Sequence, residues 1–311
     1  MIEQQIKFAY HRLRRLIRSE QTASLLLLGK ELSWKVAALP LNSDFRQVGF
    51  SVFSQSDEDG IIQYLIKKIP IENESFIEFG VENYEQSNTR FLMLNDNWQG
   101  LVLDASPSHI RYIQSDQIYW QYDLQARCAW ITRDNIDSLI REAGVSGDVG
   151  LLSIDLDGND YWVWERIESI SPRIVVVEYN SLFGLQPVSV PYQEGFSRTA
   201  AHFSNLYFGC SLAALSYLAK KKGYVLLGSN LWGNNAFFLR SDVAGRFCGI
   251  GSEKVYVLSK FRESRDANGR LTFTRGADRL KLIEHLPVVN VVTGQHGALS
   301  EFIRTGGSFT L

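Results

Sequence analysis

Short apolar runs alternate with helix-like segments through the middle of the chain, and this alternation limits the possible folds more than any other feature. The candidate strands are 76–80, 101–104, 118–122, 151–155 and 174–178. In the segments between them, apolar residues recur at helical spacing. Continuous apolar strands joined by helices are typical of a parallel sheet that is covered by helices on both faces. The pattern therefore predicts an α/β, Rossmann-like fold.

The last two candidate strands are joined by a short connection and not by a helix. Residues 224–227 and 236–240 come after an Ala- and Leu-rich helix predicted over 209–222. Only residues 228–235 separate the two runs, which is too short for a helical crossover and suits an antiparallel pair. The sheet is therefore predicted to contain a final antiparallel strand.

Four of the predicted strands end at an acidic residue or close to one. These residues are Glu78, Asp104, Asp155 and Glu178, and Gly80 follows two residues after the first. In open α/β sheets ligands bind beyond the carboxyl ends of the strands, so these side chains are predicted to meet at one site. The alternative is that they are ordinary loop residues, because loops are rich in polar side chains.

This layout resembles the class I S-adenosylmethionine-dependent methyltransferase fold, in which a seven-stranded sheet ends with an antiparallel strand. The resemblance spans about residues 54–240. It implies that Glu78, Gly80 and Asp155 lie beside the cofactor S-adenosylmethionine and that Asp104 binds its ribose. A carboxylate suits a ribose because its oxygens accept hydrogen bonds from hydroxyl groups.

Within that fold, the chain resembles the FkbM-type methyltransferases and bacterial relatives of that group. Three stretches carry the resemblance, namely 54–62, 78–89 and 153–161. It implies transfer of a methyl group to a sugar or glycan hydroxyl, in the synthesis of a surface polysaccharide. The chain departs from the pattern in one place, since Gly80 is the single glycine of a loop that usually has two or three. One alternative is a protein of the same fold that is not catalytic, or is differently catalytic, and that binds a glycan or a nucleotide-like ligand. The other alternative is a membrane-associated scaffold.

Oxygen ligands are concentrated around the fourth and fifth predicted strands. Asp155, Asp157 and Glu178 offer carboxylates, which are the ligands that Mg²⁺ prefers. Some sugar methyltransferases of the fold hold magnesium at this place, so the resemblance implies a metal site on these three residues. The alternative is that 157–160 forms a turn that caps the next helix. An EF-hand loop is excluded, because Arg166 stands where its final glutamate is required.

A long polar connector, 181–205, follows the fifth predicted strand and contains His202. A loop of this length in a compact domain is usually functional. An acceptor hydroxyl must lose a proton when it is methylated, so we assign His202 as a candidate base beside Asp157. The alternative for His202 is a structural hydrogen bond.

The chain divides into three parts. Residues 1–43 form a predicted amphipathic helical segment, 44–240 the methyltransferase-like domain, and 241–311 a C-terminal appendage with a hairpin near residues 268–269. Residues 1–40 carry seven basic and three acidic side chains. Such a helix can lie on an anionic membrane surface, or it can pack on its own domain or in a homo-oligomer.

The amino-acid composition limits the classes of binding partner and the cellular compartment. Among 311 residues the net charge is −2, which argues against a nucleic-acid partner. The three cysteines are far apart, so they form neither a disulfide framework nor a zinc site and suit a reducing compartment. The expected location is the cytoplasm, or the inner face of the membrane if residues 1–40 bind there.

Overall fold

The computed structural model describes residues 22–303, so residues 1–21 of the predicted amphipathic segment lie outside the described part. In chain order the strands are β1 (Ser75–Phe79), β2 (Gln99–Asp104), β3 (Leu124–Cys128), β4 (Gly147–Ile154), β5 (Ile170–Glu178), β6 (Val188–Ser189), β7 (Tyr224–Ser229), β8 (Asn235–Arg240), β9 (Pro287–Asn290) and β10 (His296–Ala298). The helices are α1 (22–38), α2 (Phe45–Val48), α3 (Glu58–Lys68), α4 (Arg90–Asp96), α5 (Pro107–Ser115), α6 (Ile118–Gln121), α7 (Ile136–Glu142), α8 (Asp160–Arg166), α9 (Arg198–Ala201), α10 (Leu212–Lys221), α11 (Ser252–Val255), α12 (Ala277–Lys281) and α13 (Leu299–Phe302).

Seven strands form the central sheet in the order β3-β2-β1-β4-β5-β8-β7. The strands from β1 to β5 pair in parallel, whereas β8 lies antiparallel to both β5 and β7. The predicted α/β sheet with a final antiparallel strand is confirmed. This order brings the carboxyl ends of β1, β2, β4 and β5 to one edge of the sheet.

Both faces of the sheet are covered, because successive side chains of a strand point to opposite faces. Ile77 and Phe79 of β1 pack in one apolar layer with residues of α7, α8 and α10. Phe76 packs in the opposite layer with residues of α3, α4 and α5. This two-sided burial explains why the strands have continuous apolar runs.

The prediction of a strand over 118–122 is wrong, because Ile118–Gln121 form a short helix and the strand is Leu124–Cys128. The Asp116 side chain accepts a hydrogen bond from the N–H of Ile118 at 3.3 Å, at the start of the turn. The indole of Trp120 is 74% exposed, unlike a side chain of a buried strand. A short apolar run does not by itself distinguish a strand from a helix.

The C-terminal segment pairs with the connector that follows β5. Strand β9 pairs with β10 and with β6, which forms a small three-stranded sheet. A third apolar cluster, which includes Phe183, Val188 and Ile283, lies beside it. Regular pairing therefore occurs at β9 and β10, whereas near the predicted hairpin the structure has one bridge, Arg265 to Leu271.

Helix α1 packs on the core with one side and exposes the other. A Cβ atom at Gly29 would lie 2.7 Å from atoms of Phe91 and Val52, so the helix is in close contact there. Leu27 and Trp34 are 72% and 63% exposed. Within residues 22–303, no helix has the length and apolarity to cross a bilayer.

Candidate functional site

A cleft of about 630 Å³ lies at the carboxyl ends of the parallel strands. This is within the usual range of small-molecule sites. Six of the predicted site residues line it, namely Glu78, Gly80, Asp104, Asp155, Asp157 and Glu178. The structure therefore brings together the acids that end β1, β2, β4 and β5.

Gly80 allows two strand ends to approach each other at the floor of the cleft. Its φ is +72°, and a Cβ atom there would lie 1.7 Å from the carbonyl oxygen of Asp155. Its N–H donates to the carbonyl of Leu103 at 2.9 Å. A side chain of any size would therefore displace the backbone that follows β4.

The loop after Gly80 takes a sharply turned path although it contains no further glycine. Glu82 and Tyr84 have φ values of +47° and +61°, a region that non-glycine residues rarely adopt. The buried ring of Tyr84 and the hydrogen bond from the Glu82 N–H to Asp104 Oδ2 (2.8 Å) hold this path. The departure from the usual glycine pattern therefore does not prevent a sharply turned loop.

Asp104 is fixed by three donors and keeps some capacity to accept. Besides the Glu82 N–H, its Oδ1 accepts from the Ser106 N–H at 2.7 Å and from His109 Nδ1 at 3.0 Å. Two carboxylate oxygens offer about four acceptor positions, so one remains for a ligand hydroxyl. His109 is not among the predicted site residues, although its place in the first turn of α5, just after β2, is a usable signal.

The carboxylate oxygens of Glu78 accept hydrogen bonds from other residues of the protein. Its Oε1 accepts from the Asn88 N–H at 2.8 Å, and its Oε2 accepts from the N–H and the hydroxyl of Thr89. Burial raises the pKa of Glu78. The Ser87 side chain is a fourth hydrogen-bond partner. All acceptor positions of the Glu78 carboxylate therefore hold the loop between β1 and α4.

Asp155, Asp157 and Glu178 form an acidic cluster, in which one carboxylate oxygen of each lies within 4.8 Å of the others. Glu178 is 7% exposed, and its Oε2 has no hydrogen-bond partner in the described part of the chain. Burial and the neighbouring carboxylates raise the pKa of both Asp155 and Glu178 well above the usual value. The donor set and the unpartnered oxygen fit a hard divalent cation.

Arg198 is the cation that the connector brings to this cluster. Its Nη1 lies 2.8 Å from Asp157 Oδ1, its guanidinium lies 3.9 Å from the ring centre of Phe208, and its Nε donates to the carbonyl of Asn205. Arg198 has no role in the sequence-based prediction, although it is the single arginine of the 181–205 connector. Part of the like-charge repulsion in the cluster is thus offset by a residue of the chain itself.

His202 is held elsewhere. Its Nδ1 hydrogen-bonds with the Ser204 hydroxyl at 2.7 Å, and its ring lies near those of Phe203 and His285. Burial lowers its pKa. His202 is not among the described residues that line the cleft. The structure thus does not bring His202 together with the acids, and it favours the structural alternative.

The turn that was the alternative to a metal site is present, although the side chain of Asn159 makes no capping hydrogen bond at the start of α8. Both oxygens of Asp160 accept backbone N–H groups, from Leu156 at 2.7 Å and from Gly158 at 3.0 Å. Burial raises the pKa of Asp160 to about 6. Because Asp160 builds the turn, Asp155 and Asp157 remain available to the cleft.

An aromatic and apolar surface lies at the β3 end of the cleft. Ala129, Trp130 and Ile131 follow β3 and line it. Trp130 Nε1 donates to the carbonyl of Glu194 at 2.9 Å, which attaches the connector to this end. A flat heteroaromatic base fits such a surface.

No protein-family model matches the chain, and no curated protein matches it significantly. Among similar solved structures, the N-terminal domain of EvdMO1 with S-adenosylhomocysteine bound has a TM-score of 0.40 and 12% identity, over 70% of this chain and 94% of that one. The O-methyltransferase from Bacillus cereus, in complex with S-adenosylhomocysteine, has a TM-score of 0.31 and 14% identity, over 52% and 68%. The protein described as a sarcosine dimethylglycine methyltransferase from Galdieria sulphuraria has a TM-score of 0.34 and 12% identity, over 50% of this chain and 56% of that one.

The chain thus spans little more than half of the Galdieria protein. These likenesses are too distant to assign an activity. The fold follows from the strand order itself, which is that of the seven-stranded, Rossmann-like methyltransferase sheet with its antiparallel strand.

Proposed function

We propose that this chain is an S-adenosylmethionine-dependent methyltransferase. The observation that carries the proposal is the floor of the cleft, where Gly80 lies against the backbone of Asp155 and the carboxylate of Asp104 stands at the end of the adjacent strand. The close approach leaves room for a ligand over the loop, and Asp104 has an acceptor position for a ribose hydroxyl.

Different residues of the cleft contact different parts of the cofactor in this proposal. Asp104 accepts a hydrogen bond from the ribose, and Trp130 offers its face to the adenine. The cofactor, when bound, supplies a methyl group on a positively charged sulfur. The acidic character of the cleft favours such a cation electrostatically.

The acidic cluster supplies the proton acceptor. A carboxylate of Asp155 or Glu178 would take the proton of the acceptor hydroxyl. The bound cofactor would supply the methyl group and keep the electron pair of its carbon–sulfur bond. Asp157 forms an ion pair with Arg198 beside these two carboxylates. Asp155, Asp157 and Glu178 would also hold Mg²⁺, which supplies positive charge for orienting neighbouring hydroxyls.

The acceptor in this proposal is a sugar or glycan hydroxyl, in the synthesis of a surface polysaccharide. Its support is the sequence resemblance to the FkbM-type group over 54–62, 78–89 and 153–161. The same proposal includes contact of residues 1–40 with a membrane or with a second copy of the chain. The exposed side chains of Leu27 and Trp34 on α1 support a contact of either kind. A protein that only binds a glycan or a nucleotide-like ligand is the second candidate.

Calorimetry with S-adenosylhomocysteine on the full chain tests the proposal. We expect wild type to bind it and Asp104→Ala to bind about 1.5–3 kcal/mol more weakly, because a hydrogen bond to a charged group is lost. Asp123→Ala is the matched control, since Asp123 is exposed and does not line the cleft. Equal affinity in wild type and Asp104→Ala would contradict the assignment of Asp104, and absence of binding to wild type would favour the second candidate.

A further inference from the structure

We propose that Gln55 binds the amino-acid end of the methyl donor, an inference that rests on the proposed function. Gln55 is exposed and lines the cleft, whereas its neighbours Ser54 and Ser56 are buried. It lies in the 54–60 stretch, to which the proposed function gives no role. The structure explains the rest of this stretch as a frame that presents one amide.

Asp59 fixes the shape of the loop on one side of Gln55. A single oxygen, Asp59 Oδ2, accepts the N–H groups of Val52, Phe53 and Ser54 at 2.7, 2.7 and 2.9 Å. The Ser54 hydroxyl in turn accepts the Asp59 N–H at 3.1 Å. The backbone that leads into Gln55 is therefore held at consecutive residues.

Glu58 fixes the other side and ties the loop to the sheet. Its Oε2 accepts the Ser56 N–H at 2.9 Å, and its Oε1 accepts the side-chain amides of Asn230 and Asn235 at 2.7 and 2.9 Å. Glu58 is fully buried. Gln55 thus projects from a rigid support, as a binding side chain requires.

The position of this support identifies the end of the ligand that Gln55 meets. Asp104 ends β2 and Trp130 follows β3, so a ribose and a base bound there occupy that side of β1. The loop of Gln55 lies on the other side, since the Ser87 N–H donates to the Phe53 carbonyl at 3.1 Å and Glu58 contacts Asn235 of β8. A donor bound by its adenosine part therefore extends its remaining end toward Gln55.

The chemistry of this end fits an amino acid. Gln55 is accompanied in the cleft wall by amide and hydroxyl side chains, which are Gln86, Ser87, Asn88 and Asn234. An α-amino acid at neutral pH carries an ammonium and a carboxylate group. An amide serves both, because its carbonyl accepts and its NH₂ group donates.

Two ligands that differ only at this end test the inference by calorimetry on the full chain. S-adenosylhomocysteine has the amino-acid end, whereas 5′-methylthioadenosine lacks it and keeps the adenosine part. We expect Gln55→Ala to bind S-adenosylhomocysteine about tenfold more weakly, since about 1.4 kcal/mol of hydrogen bonding is lost, and to bind 5′-methylthioadenosine as wild type does. Gln121→Ala, at an exposed glutamine of α6, should change neither affinity.

The outcomes separate this inference from the proposal on which it rests. Unchanged affinity of Gln55→Ala for S-adenosylhomocysteine, or equal weakening for both ligands, overturns the role of Gln55 while the proposed function stands. Wild type that binds neither ligand overturns the proposed function and this inference with it. Equal melting temperatures of Gln55→Ala and wild type exclude a general loss of structure.

Discussion

At the scale of single residues, the acids that end the parallel strands differ in what they are bonded to. Both oxygens of Glu78 hold a loop, Asp104 keeps one position open, and Glu178 has an oxygen without a partner. Of these three residues, Asp104 and Glu178 have capacity left for a ligand. Chemically similar side chains at equivalent strand ends therefore have different roles, which are set by the donors around them.

Gly80 gives a sharp test of the cleft floor. Gly80→Ala should lose S-adenosylhomocysteine binding and unfold more easily, because its Cβ would meet the Asp155 carbonyl at a φ of +72°. Gly144→Ala is the control, since Gly144 has a φ of +79° but no atom of residues 22–303 lies within 4 Å of its Cβ position. That control should cost only the left-handed penalty of about 1–2 kcal/mol. Equal unfolding free energies of the two variants, measured with urea, would show that the contact with Asp155 does not matter.

Substitution of Glu178 tests the proposed metal site. Titration of the full chain with Mg²⁺ by calorimetry should show binding, and Glu178→Gln should weaken it by about tenfold or more, since Mg²⁺ prefers charged oxygen ligands. Glu165→Gln, at an exposed glutamate of α8, is the control and should leave binding unchanged. No binding to wild type, or equal binding to both variants, would speak for a cluster neutralised by Arg198 and protons alone.

At the scale of elements, connections that are distant in sequence build the walls of the cleft. The connector after β5 is attached to β3 through Trp130 and to the β4 turn through Arg198, and its strand β6 pairs with β9. The C-terminal segment therefore supports the wall of the cleft that the connector forms. The local pattern of 241–311 did not reveal this, because the partner strand lies about a hundred residues earlier.

The packing of α1 on the core can be tested at Gly29. Gly29→Leu should destabilise the protein by about 1–3 kcal/mol, as overpacking of a tight contact does. The side chain would have to displace Phe91 and Val52. Leu28→Ala, at a residue 57% exposed, should stay within about 0.5 kcal/mol. Urea unfolding measures both, and a neutral Gly29→Leu would mean that α1 is only loosely attached.

At the scale of the whole molecule, buried acids link stability to pH. Burial raises the pKa of Asp59 to about 7, although three backbone N–H groups hold its carboxylate. Between the unfolded pKa near 3.8 and this value, the unfolded chain has lost the proton that the folded chain keeps. The contribution of Asp59 to the free energy of unfolding therefore decreases as pH rises through this window.

Asp59→Asn measures that contribution, because asparagine carries no titrating proton. The stability of Asp59→Asn relative to wild type should rise from pH 4 to 7 by at most about 1.4 kcal/mol for each pH unit and then level off. Urea unfolding at a series of pH values checks this, with the exposed Asp123→Asn as control. A difference that stays constant with pH would show that the N–H groups keep Asp59 ionised.

Sequence by itself determined the fold class and the set of acids at the cleft. Apolar periodicity and the chain length between strands are local properties of the sequence. Parallel strands place their carboxyl ends at one edge of the sheet whatever the order of the strands. These properties were enough to predict six cleft residues, namely Glu78, Gly80, Asp104, Asp155, Asp157 and Glu178. Local pattern failed where it was ambiguous, as in 118–122, which is a helix followed by β3.

Tertiary structure decided which of these groups are free to act and which further residues join them. It paired His109 with Asp104, brought Arg198 to Asp157 across 41 residues of chain, and kept His202 out of the cleft. It also turned Glu78 into a loop support and left Gln55 facing the cleft. Hydrogen-bond capacity depends on donors that approach from distant parts of the chain, so no local spacing in the sequence encodes it.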